Sequence, residues 1–409
     1  MIRHLFKLAW NRKRTNALII LEIFFAFLVL FVVGTLGIFL WDNIHQPLGF
    51  APQDVWTVAI SMHQTTEDYD PNLAPAFLRL LKETQGLAPV ESTAGVMVLP
   101  YSTSNYTGGS KFNGREILAD FNDVTEDFAK VMGLQITQGR WFEKADEATS
   151  WRPVVINETM AHAVFGAENP IGKRYGDPSK DTKNPDPERR VVGVIREFKK
   201  GGELSAAGNY VFQLKRLNPL PAGMKATNLE RPPRNLVIQV RPGTPVTFEE
   251  DLAKRLQAVA PAWSFEVKPM TQMRSSAIRL ALTPLVVGGI VALFLMLMVG
   301  LGLIGVLWQN LLQRTREIGL RRATGASRSD VHQQVLWEQL ILTSFGVLLG
   351  SVLVVQIPLL DLIGFIRPGI FFGGMLVAML AIYLLAALCA LYPSTLASRV
   401  QPAEALRYE

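Results

Sequence analysis

Cysteine and histidine are scarce in this sequence, and so are the motifs built from them. One cysteine, Cys389, cannot form a disulfide within the chain. No H-E-x-x-H or G-x-S-x-G motif occurs, and the phosphate-binding loop G-x-x-x-x-G-K-[ST] is also absent. We therefore predict no catalytic residue, no metal site and no cofactor on this chain. The five histidines are isolated from one another: His4, His45, His63, His162 and His332.

Charge is also sparse, at 19% of residues, and its distribution is uneven. Residues 42–282 hold about as many Lys and Arg (roughly 28) as Asp and Glu (roughly 28), so this segment is near neutral. The net charge of +6 arises beside apolar blocks, which is typical of membrane topology and not of a nucleic-acid surface. The basic residues beside these blocks are Arg3, Lys7, Arg12, Lys13, Arg14, Arg314, Arg316, Arg321, Arg322 and Arg328.

Four apolar blocks are each long enough to cross a bilayer as a helix. A signal peptide is the alternative for the first block, but the block is too long and no A-x-A site follows it. The positive-inside rule places both termini in the cytoplasm and residues 42–282 on the opposite, extracytoplasmic side of the membrane. The predicted boundaries are an amphipathic helix at 1–16, spans at 17–41, 283–308, 336–360 and 370–391, a cytoplasmic loop at 309–335 and a tail at 392–409.

The segment 42–282 alternates strand and helix patterns at both of its ends. Residues 55–62, 76–84 and 90–99 read as strand, helix and strand, and 236–241, 248–259 and 264–268 repeat that order. These patterns predict an α/β (α+β) domain of two subdomains, the second inserted at about 101–230. We expect a mobile loop at Gly108 and Gly109. The predicted fold class is therefore an α-helical membrane protein with four transmembrane helices and a large α/β extracytoplasmic domain.

Small and acidic residues stand out within the predicted spans. Gly346 and Gly350 form a G-x-x-x-G pattern, which favours close helix packing in lipid, although glycine is also common in membrane helices generally. Glu22 and Glu338 lie near the cytoplasmic boundary. We interpret both as interfacial anchors in preference to proton relays.

The cytoplasmic loop reads R-T-R-E-I-G-L-R-R-A-T-G-A-S-R-S-D-V over residues 314–331. It predicts a short helix over 315–323, and Ser327 with Asp330 predicts a capping box for the next helix. Taken alone, the composition of an Arg-rich loop favours a topology signal that also binds membrane lipid headgroups.

This loop, the following W-E-Q-L-I-L-T-S-F-G-V-L-L-G and the closing P-A-E-A-L-R-Y-E resemble the FtsX-like permease domain. Four segments of the outer region are similar to the MacB-type periplasmic core domain: G-R-W-F, V-V-I-N-E-T-M-A-H-A-V-F-G, N-P-I-G-K-R and V-V-G-V-I-R-E-F-K. The chain thus resembles permeases of MacB-type (type VII) ABC transporters.

The resemblance implies that the loop helix docks on a separate cytoplasmic ABC ATPase, which binds the ATP and Mg. It also implies a dimer with a second permease copy or a homologous permease. A periplasmic adaptor and an outer-membrane channel are candidate further partners, and no nucleic acid is expected. The ATPase-coupling residues that the resemblance assigns are Arg314, Arg316, Glu317, Ile318, Gly319, Arg321, Arg322, Gly325 and Ala326.

Two functions remain open from the sequence. The first is a permease that converts ATP hydrolysis into periplasmic movement for export or efflux of an antibiotic, peptide or lipoprotein. The second is a non-transporting mechanotransmission permease that regulates a cell-wall hydrolase or a sensor. A third class, a membrane-anchored enzyme, is weakened by the missing catalytic motifs.

Overall fold

The computed structural model describes residues 13–62, 72–177, 188–217, 232–313, 320–321, 324, 327–360 and 367–399. Three predictions fall largely outside these residues: the amphipathic helix at 1–16, the loop helix at 315–323 and the tail at 392–409. The described chain divides into two units. Residues 43–280 form one, called here the sheet domain, and residues up to 42 with those from 281 onward form the helical unit.

The helices are numbered in chain order through both units. They are α1 (Lys13–Ile44), α2 (Leu73–Gln85), α3 (Phe128–Met132), α4 (Glu158–Phe165), α5 (Phe248–Val259), α6 (Met270–Gln313), α7 (Arg328–Leu359) and α8 (Pro368–Arg399). The strands are β1 (Val55–Ser61), β2 (Val90–Val96), β3 (Thr107–Phe112), β4 (Arg115–Val124), β5 (Ile136–Gly139), β6 (Arg152–Asn157), β7 (Arg189–Ile195), β8 (Tyr210–Leu214), β9 (Asn235–Val240) and β10 (Ser264–Pro269).

Four helices among the described residues, α1, α6, α7 and α8, are long and apolar enough to cross a membrane. Large aliphatic side chains cover their outward faces, as expected for surfaces that meet lipid. Their shared core includes Ile23, Phe27, Val299, Leu303 and Ala378. The chain passes between the two units within α1 and within α6, each of which is continuous.

The end of α1 and the start of α8 lie on the same side of the helical unit. Arg367, just before α8, places its Nη1 atom 3.4 Å from Oδ2 of Asp42. Both side chains are partly exposed, so this ion pair contributes little stability. It does show that the first and fourth apolar helices are antiparallel neighbours, because one reaches this side at its C-terminus and the other at its N-terminus.

The sheet domain is built on one ten-stranded mixed sheet in the order β10-β1-β9-β2-β4-β8-β6-β7-β5, with β3 paired to β4. The strands and helices predicted at both ends of the segment are confirmed, and they form one half of this sheet. Strands between residues 107 and 214 form the other half. The two halves meet where β2 pairs with β4 through Val96 and Val124.

The cores of the two halves are connected. One cluster lies against both halves and includes Val96, Val124, Phe128 and Phe212. A second lies under α2 and α5, where Phe77, Leu80 and Leu252 are fully buried because their helices present an apolar stripe to the sheet. The predicted subdomains are therefore two halves of a continuous sheet that share buried side chains.

The prediction of a mobile loop at Gly108 and Gly109 is wrong. Both residues lie in strand β3, opposite Ala119 and Leu118 of β4. A Cβ atom at Gly109 would lie 2.1 Å from Oε1 of Glu116, and one at Gly108 would lie 3.1 Å from the ring of Phe121. The glycines here make room for side chains of the paired strand, which is the other common reason for glycine within a strand.

Candidate functional site

Helix α7 begins at the end of the predicted coupling loop, and its first turn is fixed by side chains. The Ser327 hydroxyl accepts a hydrogen bond from the Asp330 amide at 3.2 Å, and the Ser327 amide donates to Oδ2 of Asp330 at 2.9 Å. This is the predicted capping box, and it is confirmed. Two otherwise unpaired amides are satisfied, so the helix begins at a defined residue.

Arg321 is the one predicted coupling residue that the structure describes. It is helical, and its Nη1 atom donates to Oε1 of Gln334 on α7 at 2.7 Å. Gln334 in turn donates to Oε1 of Glu338 at 3.0 Å. Arg321 is thereby held against α7. The remaining coupling residues lie outside the described residues: Arg314, Arg316, Glu317, Ile318, Gly319, Arg322, Gly325 and Ala326.

Gly346 and Gly350 of α7 face α1 at close range. A Cβ atom on Gly346 would lie 2.6 Å from Cγ2 of Ile23 and 3.0 Å from the backbone oxygen of Ile20. A Cβ atom on Gly350 would lie 2.4 Å from Cδ1 of Phe27. Any larger residue would push the two helices apart, so the absence of side chains sets the distance between α1 and α7.

The sequence reasoning missed a second close contact, between α1 and α8. A Cβ atom on Gly374 would lie 2.0 Å from Oγ1 of the buried Thr35, and one on Gly34 would lie 3.4 Å from the backbone oxygen of Gly374. The adjacent glycines Gly373 and Gly374 were the sequence feature that could have indicated this contact. Thus α1 is closely packed on both α7 and α8.

The position of the Glu22 side chain differs from the one expected for an interfacial anchor. Its Oε2 atom is buried and has no hydrogen-bond partner among the described residues. A Cβ atom on Gly302 of α6 would lie 2.8 Å from that oxygen. The carboxylate is therefore directed toward α6, where Gly302 has no side chain and leaves room for it.

The sheet domain shows buried polar clusters that hold loops. Arg140 forms two hydrogen bonds to Asp146, at 2.7 and 2.8 Å. These bonds to the Arg140 guanidinium hold the pKa of Asp146 below its ordinary value. Asn157 caps α4 by accepting from the Met160 amide at 3.2 Å. Among the described residues no group of His, Cys, Asp and Glu is placed to hold a metal ion.

Comparison with known proteins identifies the class. Residues 17–272 match the MacB-like periplasmic core domain, and residues 289–402 match the FtsX-like permease C-terminal domain. The first match alone covers more than half of the chain. The chain therefore belongs to the MacB/FtsX-type family of ABC transporter permeases, and it is a multi-pass inner-membrane protein.

Two relatives illustrate the range of the family. The macrolide export ATP-binding/permease protein MacB of Bordetella avium (strain 197N) is 27% identical over 70% of this chain and 42% of its own length. The uncharacterized ABC transporter permease YknZ of Bacillus subtilis (strain 168) is 25% identical over 83% of this chain and 82% of its own length. The chain thus spans less than half the length of MacB relatives such as the first.

Among solved structures, the periplasmic region of MacB from Actinobacillus actinomycetemcomitans aligns with 57% of this chain and 96% of its own. The sequence identity is 16% and the TM-score is 0.37, a superposition too loose to add to the assignment.

Proposed function

We propose that this chain is the permease subunit through which a separate cytoplasmic ABC ATPase moves a periplasmic domain to drive export. The observation that carries this proposal is the tight contact of α7 with α1. The capping box fixes the start of α7 beside the loop that resembles a docking segment. Gly346 and Gly350 then place α7 directly on α1, which continues without a break to Ile44.

In this mechanism the ATPase binds the loop through Arg314, Arg316, Glu317, Ile318, Gly319, Arg321, Arg322, Gly325 and Ala326. Its ATP-driven closure displaces the start of α7. Because α7 has no side chain at the two glycines and packs there directly against Ile23 and Phe27 of α1, a shift of α7 displaces α1 as well. Both termini are cytoplasmic and the sheet domain is periplasmic in this proposal, with a second permease copy completing a dimer.

Export is the favoured outcome of that movement. Relatives with a stated function include macrolide and pyoverdine export proteins. The polar clusters described above hold loops of the sheet domain, and none provides a reaction site, which favours a mechanical role over a catalytic one. ATP would be bound and hydrolysed by the partner, with no cofactor on this chain.

Co-purification with the ATPase tests the docking assignment. Glu317→Lys with Gly319→Arg reverses a charge and adds a bulky cation in the docking segment, so ATPase association should be lost while membrane insertion persists. Glu250→Lys with Gly208→Arg makes the same exchanges at exposed positions of the sheet domain and should retain the ATPase. Retention of the ATPase by the docking variant would refute the assignment.

Substrate dependence separates export from signalling. Reconstituted complex should hydrolyse ATP faster when an exported compound is added. A rate insensitive to every candidate compound, together with specific binding of a cell-wall hydrolase, would instead establish the regulatory function.

A further inference from the structure

The loop between β7 and β8 contacts the ends of both helices that enter the sheet domain. This loop, Phe198–Ser205, is called here the joint loop. Lys199 is 1% exposed, and its Nζ atom donates to the backbone oxygen of Asn43 at 2.7 Å. Asn43 belongs to the last turn of α1, where backbone carbonyls lack partners within the helix. A buried ammonium group therefore caps the C-terminus of α1, the end at which the helix dipole favours a cation.

Further contacts hold the same helix end, and the segment just after it, against the joint loop. The side-chain amide of Asn43 donates to the backbone oxygen of Leu204 at 3.4 Å. The Lys199 amide donates to the backbone oxygen of Leu48 at 3.0 Å. The Lys199 ammonium also donates to the backbone oxygen of Glu203 at 2.6 Å, so one cation links α1 to both ends of the turn 199–203.

The first turns of α6 are held by the same loop. Nε of Arg274 lies 2.5 Å from Oε1 of Glu203, whose side chain is only 17% exposed. The second carboxylate oxygen of Glu203 is buried without a hydrogen-bond partner among the described residues. Arg274 is thus an important counter-charge for a largely desolvated carboxylate.

The joint loop is itself fixed in the core of the sheet domain. Phe198 is 1% exposed, and its ring centroid lies 5.0 Å from that of Phe212 and 5.1 Å from that of Phe50. Gly202 has a φ of +95°, and a Cβ atom there would lie 2.6 Å from Cε1 of Tyr101. A packed aromatic core transmits displacement with little compression.

We propose that the joint loop is the element through which movements of α1 and α6 reach the sheet, with Lys199 and Glu203 as its positioning residues. This inference rests on the proposed function and assigns its transmission step to one loop. Lys199 holds the end of the first helix and Glu203 holds the start of the second. Neither helix end can shift without displacing the loop that carries Phe198.

The test uses the full chain with its ATPase in lipid nanodiscs. ATP hydrolysis is measured beside the ATP-dependent change in hydrogen exchange of the sheet domain. Lys199→Met and Glu203→Arg should keep hydrolysis within about threefold of wild type yet reduce the ATP-dependent exchange change more than about fivefold, the size of coupling expected between linked sites. Lys200→Met is the matched control, because the neighbouring Lys200 bonds to Ser104 and Asn105 and to neither helix end.

Charge exchange distinguishes transmission from general destabilisation. Glu203→Arg combined with Arg274→Glu restores the ion pair with its charges exchanged and should recover at least half of the exchange change. If Lys199→Met or Glu203→Arg does not fold, Glu203→Gln and Arg274→Gln remove charge with little change of volume and carry the same expectation.

The outcomes separate the two levels of the argument. A normal ATP response in folded Lys199→Met and Glu203→Arg, or no recovery in the exchanged pair, would overturn the joint while leaving the proposed function intact. Failure of the wild-type chain to bind the ATPase would refute the proposed function and the joint with it.

Discussion

The contact between α1 and α7 gives a prediction whose size follows from the structure. Gly346→Ala places a methyl group 2.6 Å from Ile23 Cγ2 and 3.0 Å from the Ile20 backbone oxygen, and Gly350→Ala places one 2.4 Å from the Phe27 ring. Overpacking of this kind costs about 1–3 kcal/mol per site, and better helix propensity offsets about 1 kcal/mol of it. We expect the double variant to destabilise the helical unit by about 2 kcal/mol.

The single cysteine provides the assay. Cys389 is buried in the core of the helical unit, so its labelling rate by a thiol reagent reports how often that core opens. A loss of about 2 kcal/mol should accelerate labelling about 30-fold. Gly305→Ala is the matched control, because a Cβ atom there meets nothing within 4 Å. That variant should label no faster than wild type.

A double variant that labels at the rate of Gly305→Ala would refute the reasoning. It would mean that α1 and α7 are not in close contact in the membrane, and the proposed route of movement from α7 to α1 would have no physical basis.

Three further predictions concern single side chains. Ser327→Ala removes the cap of α7 at a cost of about 1 kcal/mol, and hydrogen exchange of its first-turn amides should rise about fivefold. Asn157→Ala leaves the Tyr210 amide and the Gly208 carbonyl without buried partners and should cost about 3 kcal/mol in thermal unfolding of the sheet domain. The pKa of Asp146 is lower in the folded protein than in a free aspartate. The carboxylate therefore contributes its full stabilisation above the ordinary aspartate pKa, and this stabilisation is lost as pH falls from there through the lowered pKa of the folded protein. Asp146→Asn lacks this contribution, so its stability should fall less steeply than that of wild type as the solution is acidified.

Each of these has a simple check. Asn169→Ala removes an exposed hydrogen bond that the Asn169 side-chain oxygen accepts from the Ile171 amide, and it should cost little. Unchanged exchange in Ser327→Ala would show that the capping box does not hold the start of α7. An acid-unfolding curve of Asp146→Asn parallel to that of wild type would show that the Arg140 pair does not govern acid stability.

Local patterns predicted most of the elements. Hydropathy identified the four apolar helices because spanning a membrane requires long uninterrupted apolar runs. Alternation and turn residues identified β1, β2, β9 and β10 with the helices between them. The capping box at Ser327 was predictable because both partners lie within one turn of the same helix.

Contacts between distant segments were not predictable in this way. Lys199 and Lys200 are the same residue type at adjacent positions of one loop. The sequence therefore does not indicate that Lys199 caps α1 whereas Lys200 bonds to the exposed Asn105. Gly108 and Gly109 predict a loop because glycine is typical of turns, whereas the side chains that need the space, Glu116 and Phe121, are identified only once β3 is seen paired with β4.

The amino-acid order by itself determined which segments are apolar helices, that β1, β2, β9 and β10 are strands, where α7 begins and to which family the chain is similar. Only the tertiary structure decided that both halves of the outer region share one sheet, that Gly346 and Gly350 meet α1, and that Lys199 and Glu203 hold two helix ends. Hydropathy and capping depend on residues within a few positions of each other. Which surfaces meet depends on the packing of the whole chain, where shape and charge are matched across more than a hundred residues of sequence.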